Sequence, residues 1–163
     1  MKKFSNKFKI IITISCLFIF ALSSTACTII EDKVVSSLGK YEKYEFFSSG
    51  EFQDYTDYAK YYYTSTKVED NQYLKKIQES DMETIIIHLD DFESWIKEIK
   101  RNDTEDEVVV NYDFDRKIID TEDYFYIDSE ERTWDDGTTL LVSYNIYLFD
   151  TQTQILYYFH NNI

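Results

Sequence analysis

Side chains that move protons, hold metals or attack carbon are sparse in this chain of 163 residues, whose histidines are His88 and His160 and whose cysteines are Cys16 and Cys27. The histidines lack the HExxH spacing, and the cysteines the paired CxxC spacing, that would gather zinc ligands at one point. No Gly-rich phosphate loop and no GxSxG nucleophile turn occurs, so nucleotide chemistry and serine hydrolysis lack their usual marks. Carboxylates are abundant, and pairs such as Asp90 with Asp91, Asp113 with Asp115 and Glu130 with Glu131 have the groups that acid–base or calcium chemistry needs. The Asp113 run fails the EF-hand spacing, because Lys117 and Ile118 stand where a ligand and a glycine belong. With 31 acidic residues, chance pairs are expected, and no catalytic residue, metal or cofactor is assigned from them.

Cys27 differs, because its neighbours specify its fate. Lys2, Lys3, Lys7 and Lys9 make a positive start, residues 10–22 are an apolar run of thirteen, and Ser24, Thr25 and Ala26 lead into Cys27. Residues 1–26 therefore read as an export signal and not as a fold element. The run falls short of the roughly 20 apolar residues of a membrane-spanning helix. The segment resembles the lipobox of bacterial lipoproteins, in which small residues beside a cysteine direct lipid transfer to its thiol and then cleavage. The resemblance implies lipidation at Cys27 and attachment to the outer face of the cell membrane. Ser24 stands where that pattern carries leucine, and Ser24 with Ala26 also fits an ordinary secretory cleavage site that would release the chain from Cys27 onward. Lipidation accounts for a lone thiol outside the cell, and Cys16 leaves with the signal, so no disulfide is expected in the mature chain. Beyond the signal, the chain resembles small uncharacterised lipoproteins of low-GC Gram-positive bacteria, which implies no particular chemistry.

Without the leader lysines, 13 basic side chains face 31 acidic ones, a net charge of −18. Such a field repels phosphates, which argues against nucleic-acid partners. Acidic chains are often disordered, but 15 Tyr, 12 Phe and two Trp supply material for a core. The absence of proline and the presence of only three glycines argue against long structureless loops. The expected organisation is a signal over 1–26, a lipid-anchored tether over 27–40 and a single domain over 41–163.

The elements that position side chains follow from periodicity. Ser48 with Glu51 makes a capping signal ahead of Phe52, Tyr55, Ala59, Tyr62 and Tyr63, which predicts a helix over 50–63. Ser80 with Glu83 repeats the signal ahead of Met82, Ile85, Ile86, Leu89, Phe92, Ile96 and Ile99, which predicts a longer helix ending near Arg101. Val108, Val110, Tyr112 and Phe114 alternate as a strand would. Asp136-Gly137 is a favoured hairpin turn, and it pairs Phe125 with Leu148 and Tyr126 with Tyr147. A further reversal near 150–153, if two residues long, sets Ile155 against Leu148. The fold class is α+β: two helices followed by an antiparallel meander of about four strands.

That register places Phe125, Ile127, Leu140, Val142, Ile146, Leu148, Ile155 and Tyr157 towards the helices. The other face carries Tyr124, Tyr126, Leu141, Tyr147, Phe149, Leu156 and Tyr158, an aromatic set that suits either burial under the first helix or residues 34–47, or a contact surface. On the first helix Asp54, Tyr58 and Tyr61 form one outward ribbon. Tyr124, Tyr126, Tyr147, Phe149, Tyr158, Asp54, Tyr58 and Tyr61 are thus the candidate interaction surface. The reading is a non-catalytic envelope lipoprotein that binds a protein partner or its own copy. The alternative is a binder of wall carbohydrate through tyrosine faces beside carboxylates, and a carboxylate-dependent exported enzyme stands further off.

Overall fold

The computed structural model describes residues 32–51 and 54–162. The expected signal, Cys27 and residues 27–31 of the expected tether lie outside the described residues, as does Phe52. The described chain is α+β. A six-stranded antiparallel sheet is built from β1 (Lys43–Glu51), β2 (Asp54–Tyr62), β3 (Lys75–Lys76), β4 (Tyr124–Thr133), β5 (Thr139–Asp150) and β6 (Ile155–Asn162) in the order β1-β2-β6-β5-β4-β3. The helices are α1 (Lys33–Ser37), α2 (Met82–Asn102) and α3 (Glu107–Asn111).

The long helix forms where its periodicity places it. Ile85, Leu89, Phe92 and Ile96 are buried on one stripe, whereas Ile86 is partly exposed. Each such buried aliphatic or aromatic side chain contributes about 1.5–3 kcal/mol. The expected Ser80 cap does not form: no side chain caps the first turn of the long helix, and the Asp81 carboxylate accepts from the Gln78 amide at 3.0 Å across the short 3₁₀ turn that leads into it. Lys100 and Arg101 in the last turn complement the helix dipole.

The helix expected over 50–63 is instead the β1–β2 hairpin. Gly50 has φ +112°, and a Cβ there would collide with the Asp54 carbonyl, so the chain reverses where the helix should start. Tyr55, Ala59 and Tyr62 fit a helical period only because β2 lies between β1 and β6 and is covered on both faces, which erases the alternation of a half-buried strand. Tyr58 and Tyr61 therefore point to opposite faces of the sheet and share no ribbon with Asp54 as one helical stripe.

The strand expected over 108–114 is also corrected. Asp106 accepts hydrogen bonds from the Val108 and Val109 amides at 2.9 and 3.3 Å, capping α3, and Val108 is fully buried in the core formed with α2. The cap and this packing override the strand preference of three consecutive valines.

The β4–β5 pairing joins Phe125 to Leu148 and Tyr126 to Tyr147, as the hairpin signal predicts, although the turn itself differs. Residues 135–137 form a three-residue loop closed by the Trp134 amide to the Thr138 carbonyl, and a bulge opposite Glu130 and Glu131 inserts Val142 as an extra residue on β5. The longer loop and the bulge offset each other by one residue. Between the bulge and the turn the faces are exchanged, so that Leu141 packs towards α2 and Leu140 is exposed. The loop before β6 is four residues and pairs Leu148 with Tyr157, two residues from the expected register, so side-chain faces are kept. Asp150 organises it by accepting from the Gln152 and Thr153 amides.

Two cores result, one on each face of the sheet. Under α2 lie Tyr58, Phe125, Tyr144, Ile146, Leu148 and Phe159. On the other face Tyr124, Tyr147, Phe149 and Leu156 are buried beneath Val34, Val35, Leu38, Val68 and Leu74. Residues 33–38, expected in the tether, are thus part of the packed domain.

Candidate functional site

The β2–β6 ladder sets Thr56 opposite Asn161 and Asp57 opposite His160. Side chains alternate along a strand, so the first pair faces α2 and the second faces away. All four are buried, an unusual density of polar groups for two adjacent rungs. Side-chain atoms without a hydrogen-bond partner gather here: Asp57 Oδ1, His160 Nε2 and Asn161 Nδ2. A buried polar atom left unpaired costs about 1–3 kcal/mol.

On the α2 side, Thr56 donates from Oγ1 to Asn161 Oδ1 at 2.9 Å, which fixes the amide, and its Nδ2 is buried without a partner. Asn161 is 1% exposed. It lines a cleft of about 110 Å³ with Ser49, Thr56, Trp95 and Ile99, and Gly50, Asp54, Tyr55 and Asn162 complete the lining. Helix α2 brings the half-buried Trp95 and Ile99 to the cleft, and the hairpin brings Ser49 and Thr56. The cleft therefore combines an aromatic wall, two hydroxyls and the Asp54 carboxylate.

On the opposite face, a polar row crosses four strands. The Ser48 hydroxyl bonds Asp57, His160 Nδ1 lies 3.0 Å from Asn145 Oδ1, and the Tyr158 hydroxyl donates to the same oxygen at 2.9 Å. The Tyr55 ring packs 4.8 Å from the imidazole and the Tyr158 ring stacks at 6.2 Å. Burial pushes the Asp57 carboxyl above its ordinary range, and burial pushes His160 below its own, with each charge offsetting the other in part. Ser48 bonds the carboxylate and not the imidazole, so the row is not the relay of a serine nucleophile.

The expected site residues are scattered. Asp54 is exposed at the cleft. Tyr58 is a core residue, and Tyr61 packs against Tyr41 and Tyr44 on the other face. Tyr124, Tyr147 and Phe149 are buried in the second core, so the surface assigned to them is covered by α1 and residues 68–74. Tyr126 and Tyr158 are half-buried in a ring ladder through Tyr147, with centroid separations of 6.0 and 4.9 Å. The Asp90–Asp91 pair serves the structure: Asp90, with Glu93, holds Arg116, and Asp91 accepts from Tyr144. Sequence reasoning missed Thr56, Trp95 and Asn161: Thr56 and Asn161 are brought together only by the strand register, and Trp95 comes from the long helix. Among the described residues no group of three or more His, Cys, Asp or Glu could hold a metal ion, and no helix is long and apolar enough to cross a membrane.

No known family, curated protein or solved structure matches this chain.

Proposed function

We propose that the chain is an exported, lipid-anchored, non-catalytic binding module of the cell envelope, and that it takes the hydroxyl-rich edge of a carbohydrate in the Trp95 cleft. The observation that carries this reading is the half-buried Trp95 indole, which walls a cleft shared with the Ser49 hydroxyl and the exposed Asp54 carboxylate. The indole supplies a flat apolar surface for ring C–H groups, and Ser49 and Asp54 can engage neighbouring hydroxyls. The cleft admits one ring edge, which suits a polymer held at a single residue. The leader and Cys27 provide the address, by resemblance to lipoprotein signals.

Retention on purified wall polysaccharide tests the binding. In a Trp134→Phe background, the Trp95 fluorescence is expected to change saturably with added polysaccharide, and Trp95→Ala is expected to weaken retention by about tenfold or more. A folded wild-type chain that passes unretained, with unaltered fluorescence, rejects the carbohydrate reading. Fatty-acid labelling that is lost in Cys27→Ser tests the anchor separately.

A further inference from the structure

We infer that the free edge of β1 is a self-association site, where β1 of a second copy pairs antiparallel to it and joins two sheets into one. Strand β1 ends the order β1-β2-β6-β5-β4-β3 and is nine residues long, whereas β3 at the other end has two. The register determines which groups this edge presents. Tyr63 donates its amide to the Gln154 carbonyl at 2.9 Å, one step beyond the Tyr62–Ile155 rung, so the odd-numbered residues of β2 bond β6 and the even-numbered ones bond β1. Tyr62, Lys60, Tyr58 and Thr56 stand opposite Lys43, Glu45, Phe47 and Ser49, which therefore turn their N–H and C=O towards β2. Tyr44, Phe46, Ser48 and Gly50 turn theirs outward, and among the described residues no strand takes them.

The edge lacks the devices that usually guard one. It has no proline, its pairing with β2 runs from Lys43 to Glu51 without a bulge, and residues 46–50 carry no charge. The nearest charges answer each other: Lys43 lies 2.6 Å from Glu45, which also lies 3.1 Å from Lys60. Two large rings flank the outward groups, Tyr44 at 56% exposure and Phe46 at 47%.

The edge is also complementary to itself. A two-fold axis at Phe47 sets Phe46 opposite Ser48 of the second copy and Tyr44 opposite Gly50, each pair exchanging N–H and C=O, and so uses every outward residue. An axis at Phe46 or at Ser48 leaves Gly50 or Tyr44 without a strand partner. The Phe47 rings meet at the axis, where pairs that exchange no hydrogen bond bring their side chains closest. Glu45 falls opposite Ser49, so no like charges meet across residues 44–50. The Tyr44 ring covers the backbone that Gly50 leaves bare. An unrelated strand would satisfy the same backbone groups, but the two-fold match of side chains belongs to a second copy. The net charge of −14 on each chain opposes their approach, so salt is expected to strengthen the pairing.

Sedimentation of the full chain in a neutral detergent reads the association, and residue-resolved amide exchange reads its place. A monomer–dimer equilibrium is expected, with the dimer fraction rising between about 0.05 and 0.5 M salt. Where the dimer dominates, the Tyr44, Phe46 and Ser48 amides are expected to exchange about tenfold more slowly or less, while Phe47 and Ser49, already bonded to β2, keep their rates. Phe46→Pro removes an outward N–H and no β1–β2 bond, and it is expected to weaken the dimer by about tenfold or more. The exchange pattern of the unsubstituted chain decides the matter even where Phe46→Pro fails to fold. A chain that stays monomeric at about millimolar concentration, a dimer that salt dissolves, unchanged exchange at Tyr44, Phe46 and Ser48 in the dimer, or full affinity in a folded Phe46→Pro overturns the proposal.

Discussion

Strand β2 carries two buried polar clusters of opposite character. Around Lys60, which is 8% exposed, each charge is answered: its ammonium lies 2.8 Å from Asp113 and 3.1 Å from Glu45, while Tyr58 donates to Asp113 at 2.7 Å and Tyr62 to Glu45 at 2.8 Å. Burial pulls the Lys60 ammonium down, but the two carboxylates outweigh it and hold it above its usual range. Glu45 is driven down to about 2, first by Lys43, then by Tyr62 and Lys60. A few residues away, burial prevails at Asp57 and His160, and Asn161 keeps a bare nitrogen. A satisfied network pins strands together, whereas an unsatisfied one is a standing cost to the fold.

The largest expected effect tests the satisfied side. Tyr58 is fully buried against Phe47, Tyr112 and Phe159, so Tyr58→Ala should lose about 3–5 kcal/mol of stability by denaturant unfolding. Tyr58→Phe keeps the packing and removes one bond to a largely exposed carboxylate, a loss of about 1 kcal/mol. Equal losses in the two variants would mean that the hydroxyl network, and not the ring, carries the strand contact.

The next effect is on pH dependence and belongs to the other side. The folded carboxyl of Asp57 is raised, so its contribution is fully present below the unfolded value and is lost as pH rises through the folded one. The folded imidazole of His160 is lowered, so its contribution is present above the ordinary histidine range and is lost as pH falls towards the folded value. Acidification from neutrality should first weaken the fold through His160 and then return stability through Asp57. Asp57→Asn should gain on the order of 1 kcal/mol at neutral pH and abolish the acid-side return. Thermal midpoints across this range check both; a wild-type curve superimposable on that of Asp57→Asn refutes the assignment.

Legibility in the sequence followed burial geometry. Helix α2 is half-buried, so its period could be read directly from Ile85, Leu89 and Phe92, whereas the β4–β5 register, Phe125 against Leu148, was read from the Asp136-Gly137 turn signal. Strand β2 was hidden because both its faces are covered, and α3 because the Asp106 cap governs three strand-forming valines. The bulge at Val142 leaves no mark in composition, yet it determines which of Leu140 and Leu141 faces α2. The Trp95 cleft was illegible for a related reason: Thr56, Asn161 and Trp95 come from three distant segments, and only the β2–β6 register unites them. The aromatic set on the far face was legible as a set, and residues 34–47 were one of the two covers read for it; Val34, Val35 and Leu38 supply part of that cover, together with Val68 and Leu74.

The smallest effect on stability gives the sharpest contrast between the clusters. Thr56→Val with Asn161→Leu replaces both partners of one buried hydrogen bond by apolar groups of similar size, and it also removes the bare Nδ2. Removing both partners and the unpaired atom together should leave stability within about 1 kcal/mol of wild type, with either sign allowed by packing. Binding should respond differently, because the polar side chains of Thr56 and Asn161 leave the cleft lining while Trp95 remains. Polysaccharide retention is expected to fall by about tenfold as the lining loses polar partners. If the double variant instead unfolds readily, with a loss comparable to Tyr58→Ala, the Thr56–Asn161 pair is a structural strut like the Lys60 network, and the distinction between the two clusters collapses.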